Sequence, residues 1–241
     1  KNNIDLSKAY LLDFGCGAPK SLFLQKLQLR EVCKNLYGVD VYPTQESQKR
    51  LNMNIEYIKP YEEIPFQEKF DLIISNQVFE HIENIEIIYK QLFKKLKKGG
   101  LIIAGFPTKE IILEPHIKLP LFHRIKKQSF FYNLYLKIAA KFNLGSFSEF
   151  KNNKLNKKKY LNFRKSYMDK SVHYLSLKQH LNIINIYFTK VEDISDYYCK
   201  FSRGKKRITS LIKKIVSEIY PRSLRLFIIH RLFGIYIVIK K

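Results

Sequence analysis

Four stretches of this chain carry residues whose types and spacing could do chemistry. The first is Leu11-Leu12-Asp13-Phe14-Gly15-Cys16-Gly17. An apolar run that ends in two glycines one residue apart can make a tight turn, and its backbone N–H groups can then approach a nucleotide-like ligand closely. Asp13 is placed to anchor that turn or the amino end of the ligand. The second is Tyr37-Gly38-Val39-Asp40, an acid about 20 residues farther on, where it can accept hydrogen bonds from ribose hydroxyls. A surface helix cap is the alternative role for Asp40. The third is Phe70-Asp71-Leu72-Ile73-Ile74-Ser75-Asn76-Gln77-Val78-Phe79-Glu80-His81, an apolar run that ends in amide and titratable groups. The fourth, Glu114 to Arg124, packs two histidines, two prolines and an arginine into eleven residues.

These groups need elements to position them. Tyr10–Phe14, Leu36–Val41, Ile55–Ile58, Phe70–Ser75 and Leu101–Phe106 read as short buried strands. Helical periodicity follows Pro19 and recurs over Ile82–Lys97, which Gly99-Gly100 would stop. Strands alternating with helices predict an α/β fold: a Rossmann-like, doubly wound, mostly parallel sheet, with its ligand at the C-terminal strand edge. After Pro107 the pattern becomes rich in Lys, Asn, Phe and Tyr. Phe130–Phe142 reads as a helix, Lys151–Lys159 as a charged loop, Ser176–Asn182 as a short helix and Ile183–Val191 as a strand. Residues 207–219 read as a helix with Ile208, Leu211, Ile212, Ile215, Val216 and Ile219 on one face. Leu224–Phe233 reads as another helix and Ile235–Ile239 as a last strand. One domain is expected. Residues 1–107 form its nucleotide-binding half, 108–180 an acceptor-side helical insertion, and 181–241 terminal strands with basic amphipathic helices.

Leu11–Gly17, Gly38–Asp40, Phe70–Ile82 and Lys97-Lys98-Gly99-Gly100-Leu101-Ile102-Ile103 resemble the successive motifs of the class I S-adenosylmethionine (SAM) dependent methyltransferases. The resemblance covers roughly residues 10–107. It implies SAM as cofactor, with Asp13, Gly15 and Gly17 on its methionine half, Asp40 on its ribose, and Asn76 and Gln77 beside the sulfonium. Cys16 and Val41 complete the expected wall, and Tyr61 is a candidate for adenine recognition. Two departures stand out. Pro19 occupies the place of the family's frequent third glycine, and Lys59-Pro60 replaces an acid often found before the Leu-Pro-Phe turn. A nicotinamide dehydrogenase would normally carry Gly-x-Gly-x-x-Gly. Here position 20 is Lys20 and no glycine follows until Gly38, which favours SAM.

Methyl transfer to a hydroxyl benefits from a base or a metal. Glu80, His81 and His116 are the expected catalytic residues, with His123 and Arg124 as further candidates. Some family members bind a divalent metal through Glu-x-x-Glu-His. This chain has Gln77-Val78-Phe79-Glu80-His81, so the first ligand would be a weaker amide. The expectation is a site without metal, with Glu80-His81 capping the next helix as the structural alternative. Arg124 with Lys126 and Lys127 could bind a phosphate or carboxylate.

The net charge is +23, nearly all of it contributed beyond residue 100. A basic surface suits nucleic acid, anionic lipid or phosphorylated glycan, and an AT-rich codon bias is the plain alternative. Three cysteines form neither a disulfide framework nor a zinc spacing, which fits a reducing cytoplasm. No apolar run reaches the roughly 18 residues that span a bilayer. A helix usually precedes the first strand in the resembled family, so the N-terminus is expected to be trimmed. The expected function is O-methylation of a glycan or another small hydroxylated metabolite. The basic C-terminal helices could contact anionic membrane or pack on the core. RNA methylation and a non-catalytic binding domain of the same fold are the alternatives.

Overall fold

The computed structural model describes residues 4–17, 33, 35–41, 54–57, 62–66, 69–152, 156–201 and 207–241. Among the described residues seven strands form one sheet: β1 (Tyr10–Phe14), β2 (Asn35–Asp40), β3 (Asn54–Tyr57), β4 (Phe70–Asn76), β5 (Leu96–Phe106), β6 (Lys190–Asp193) and β7 (Ile235–Lys240). Their order is β3-β2-β1-β4-β5-β7-β6. β1 to β5 pair in parallel, and β7 lies antiparallel between β5 and β6. The strand order reverses between β1 and β4, so their C-terminal ends leave the crevice in which sheets of this kind bind ligands.

The two-residue period of the strands assigns each side chain to a face. Leu12, Phe14 and Ile73 enter the larger core, shared with α1 (Ile85–Lys95) and α4 (Leu177–Tyr187). Leu11, Leu36, Leu72 and Ile74 enter the smaller core on the opposite face, together with Cys16 and Cys33. A separate core joins α2 (Phe130–Lys141), α3 (Lys157–Ser171) and the segment Ile117–Phe122 into a cap after β5. Near the C-terminus, α5 (Ser195–Phe201), α6 (Arg207–Ser217) and α7 (Arg222–Leu232) pack around Cys199, Val216 and Ile229. All three cysteines are buried, and none is in a disulfide.

Four local expectations change. The run expected as a strand over Ile183–Val191 is helical as far as Tyr187. Ser176 and Gln179 form a reciprocal capping box at its start, and His180 and Ile184 are buried one turn apart. A short apolar run does not by itself separate helix from strand. Gly99-Gly100 do not stop the preceding helix, which ends at Lys95. They lie inside β5, where the pairing with β4 shifts register between Phe70 and Leu72. Gly99 takes φ +78° in that irregularity. The turn Phe79–His81 is separated from α1, whose N-cap is Asn84, so Glu80 and His81 do not cap it. In α6, Val216 is buried, but Leu211 and Ile215 are each 58% exposed. The inward place is taken by Lys213, whose ammonium lies over the rings of Tyr198 and Phe233. The helix expected after Pro19 and the side chain of Ile208 lie outside the described residues.

Candidate active site

At the end of β1 the chain turns sharply under β2. Gly15 N–H and Cys16 N–H donate to Val39 O at 2.8 and 3.2 Å, and Gly17 N–H donates to Asp40 Oδ2 at 2.6 Å. Gly15 sits at φ +76°, and a Cβ there would lie 2.2 Å from Val78 Cγ2. Glycine is therefore required twice over, by its dihedral and by the close passage of the β4 turn. At the end of β4, Gln77 adopts φ 59° and its N–H donates to Gly105 O at 2.7 Å. A left-handed glutamine is sparsely populated, and such conformations cluster at functional sites.

These turns wall a cavity of about 570 Å³, lined by Gly15, Gly17, Asp40, Val41 and Gln77 on the sheet side and by His81, Tyr167 and Ser171 on the cap side. That volume lies in the range of small-molecule and cofactor sites. Of the residues expected to hold the cofactor, Gly15, Gly17, Asp40, Val41 and Gln77 meet on this wall. Asp13, Cys16 and Asn76 stand behind it. Asp13 is 5% exposed, and burial, with the Asp40 charge beside it, raises its pKa to about 7. Burial and the charges of Asp13 and Asp40 push the Cys16 thiol up to about 12, so it stays a thiol. The Asn76 Oδ1 atom is buried without a hydrogen-bond partner. Tyr61 lies outside the described residues.

Beside the cavity, two histidines far apart in sequence meet. The His81 and His116 rings are 4.9 Å apart, with Tyr167 against both. His81 Nδ1 is 2.5 Å from Ser171 O. A carbonyl only accepts, so Nδ1 carries the proton and Nε2 keeps its lone pair. His116 Nδ1 faces Glu114 Oε1 at 2.6 Å, so Nδ1 carries a proton there as well. Glu114 is fully buried and also accepts from Tyr174 Oη at 2.6 Å and from the Ile117 N–H. Burial opposes its ionisation, but the hydrogen bonds and charge of His116 and the other donors outweigh it and hold the carboxyl below its ordinary pKa.

Glu80 is 1% exposed, and neither carboxylate oxygen has a hydrogen-bond partner among the described residues. Burial chiefly, with the Glu114 charge nearby, raises its pKa to about 8. His81 Nε2 lies 3.9 Å from Glu80 Oε1. The potential ligand atoms of Glu80, His81 and His116 fall within 4.8 Å of one another. Burial lowers the His81 pKa below its ordinary value, so the ring is neutral at neutral pH.

The other two candidates stand elsewhere. His123 Nε2 faces Lys109 O, and the Arg124 guanidinium donates to Lys109 O and Glu110 O. Lys127 donates to Asp169 O and Val172 O. Arg124 and Lys127 hold backbone carbonyls of the cap, a physical reason against the expected phosphate site. Sequence reasoning missed Tyr167, Ser171 and Tyr174, which arrive from α3 and the segment after it with no motif of their own. Glu114 had one signal: an acid two residues before a histidine in an unusually dense segment.

A family model described as a methyltransferase domain matches residues 3–150, more than half of the chain. The chain belongs to this family. Its fold is that of the class I SAM-dependent methyltransferases, and SAM is the cofactor this membership assigns. A SAM-dependent methyltransferase structure from Mesorhizobium loti aligns with a TM-score of 0.54 at 13% identity, covering 99% of this chain and 94% of that one. Ubiquinone biosynthesis O-methyltransferase from Rickettsia bellii is 27% identical over 108 residues, which is 42% of this chain and 43% of the relative. Malonyl-[acyl-carrier protein] O-methyltransferase 2 from Ilyobacter polytropus is 31% identical over 112 residues, 43% of this chain and 41% of the relative. The matches thus span less than half the length of these curated relatives. The cavity lies at the C-terminal ends of β1 and β4, with the glycine turn and Asp40 on its wall. Among the described residues no helix is long and apolar enough to cross a membrane.

Proposed function

We propose that this methyltransferase O-methylates a small hydroxylated metabolite or a glycan, with His81 as the base. The observation that carries this reading is His81 on the cavity wall, its ring held from behind by the Ser171 carbonyl so that Nε2 keeps its lone pair, with His116 beside it. When bound, SAM supplies a methyl group carried on a sulfonium, already a good electrophile. The protein must then position the acceptor and remove its proton. An acceptor hydroxyl reaching His81 would give its proton to Nε2, leaving its oxygen to accept the methyl group that bound SAM would supply, with S-adenosylhomocysteine as the leaving group. Asp40 holds the ribose hydroxyls, and Gly15, Gly17 and Gln77 line the methionine end. Two relatives named as O-methyltransferases, matched over part of their length, support oxygen as the accepting atom.

A second reading is favoured by Glu80, whose buried oxygens have no hydrogen-bond partner among the described residues. Two imidazole nitrogens and a carboxylate make a donor set suited to a divalent cation, and the Ser171 carbonyl and Glu114 orient both rings as outer partners do in metal sites. Such a cation would lower the pKa of an acceptor hydroxyl.

The test is transfer of a labelled methyl group to a panel of sugars and hydroxylated aromatics. Wild type, His81→Ala and Glu80→Gln are compared with and without chelator, and S-adenosylhomocysteine (SAH) binding is measured beside each. Lost transfer in His81→Ala with intact SAH binding is expected. Full activity of that variant sinks the base assignment. Loss of activity on chelation selects the cation reading. A folded wild type that binds no SAH overturns both and favours a non-catalytic binding domain.

A further inference from the structure

α2 (Phe130–Lys141) is apolar on two sides. Its inner side places Tyr132, Leu136, Ala139 and Ala140 in the cap core. Its outer side carries Phe130, Phe131, Leu134 and Ile138, with Phe142 just past its end, at 73%, 70%, 39%, 41% and 63% exposure. At 100° per residue these five occupy an arc of about 120°, opposite the buried side. A surface helix ordinarily gives that arc to polar groups, and clustered exposed apolar residues of this size mark an interaction site.

The charge around the arc says what kind of surface fits it. Residues 115–168 hold thirteen Lys and Arg and a single acid, Glu149. Lys137 stands at the edge of the arc, and Lys141 lies within it with its ammonium 5.6 Å from the Phe142 ring centroid. Lys157 Nζ bonds to Lys141 O, which brings the exposed start of α3, Lys157 to Lys159, to the same end. A partner must therefore be anionic and also take phenyl rings and branched aliphatic side chains out of water. A nucleic acid satisfies the charge but offers no apolar interior for Leu134 and Ile138. An anionic bilayer satisfies both, with rings entering the acyl boundary and lysines reaching back to the headgroups.

We propose that the outer face of α2 docks the chain onto an anionic lipid surface. α2 and α3 share the cap core, and the far end of α3 supplies Tyr167 and Ser171 to the cavity wall. Docking through α2 sets the cap, and with it the acceptor side of the cavity, at the membrane. These helices differ from the C-terminal pair to which the sequence pointed.

The test is co-sedimentation of the full chain with vesicles of phosphatidylcholine alone or mixed with phosphatidylglycerol, at low and high salt. Wild type is compared with Phe130→Glu/Phe131→Glu and with Lys137→Glu/Lys141→Glu, and SAH-induced thermal shifts check that each variant is folded. The wild type should favour the anionic vesicles by at least about tenfold, and salt should weaken binding. Each double variant should lose at least about tenfold in vesicle binding with its SAH shift intact. No binding to anionic vesicles, or equal binding by both variants, overturns the proposal. A concentration-dependent dimer dissolved by Phe130→Glu/Phe131→Glu, without vesicle binding, would assign the face to a second copy. Single-stranded RNA binding lost in the variants, again without vesicle binding, would assign it to nucleic acid.

Discussion

The turn after β4 and the segment after β5 each bring a buried glutamate to the same place, and the molecule treats the two in opposite ways. Glu114 accepts from Tyr174 and the Ile117 N–H and faces His116 Nδ1, so its carboxylate is stabilised against burial. Glu80, as deeply buried, has no hydrogen-bond partner among the described residues on either oxygen, and its pKa rises to about 8. A buried polar group left unsatisfied costs roughly 1–3 kcal/mol. The cap segment is thus built for stability and orientation. The strand-end turn keeps a costly group beside the cavity, as functional sites do.

Four measurements sharpen or break that contrast. On the cation reading the largest effect belongs to Glu80→Gln, which removes a ligand and should lower kcat by more than the roughly 10- to 100-fold lost with an outer partner, while SAH affinity stays within about twofold. Unchanged kcat would make Glu80 a packing residue and remove the contrast. Glu114→Gln should lower kcat by about 10- to 100-fold through misorientation of His116, and a bound cation, if present, should weaken in parallel. Asp40→Ala touches neither glutamate. It should weaken SAH binding by roughly 10- to 100-fold, the value of hydrogen bonds to a charged group, seen by calorimetric titration. Intact binding would displace the ribose assignment.

The smallest effect is on stability, and its sign separates the two glutamates. Glu80 holds its proton in the folded state up to about pH 8, whereas the unfolded chain releases it near the ordinary value of 4.5. Its contribution to stability therefore falls as pH rises between those values. Glu114 is depressed, so its contribution is present above the unfolded value and is lost as pH falls through the folded one. At pH 7–8 the Glu80→Gln variant should melt about 2–8 °C higher than wild type and Glu114→Gln lower by a similar amount, the response of a domain of this size to roughly 1–2 kcal/mol. Shifts of the same sign would show that the two sites are alike.

Much of this was legible in residues that act locally. The glycine turn, the acid ending β2 and the five apolar strands follow from short-range rules: glycine's dihedral freedom, the two-residue strand period and the handedness of crossovers. Those rules placed Gly15, Gly17 and Asp40, the family resemblance added Val41 and Gln77, and all five meet on one wall. The same rules failed where an apolar run is ambiguous. Ile183 to Tyr187 is helix because the Ser176–Gln179 box starts it and the core receives Ile184. The outer face of α2 also escaped, because periodicity reports how apolar residues are spaced and not which of two apolar faces the core will cover.

Neighbours a few residues away suffice to place the five apolar strands, the glycine turn after β1 and the types of group at its edge. Tertiary packing alone sets the strand order, puts His116 4.9 Å from His81, lets Ser171 and Glu114 fix both rings, and buries Glu80 with no hydrogen-bond partner among the described residues. Those contacts join residues up to 90 positions apart, and their chemistry depends on burial and orientation, which arise only when separate elements pack together.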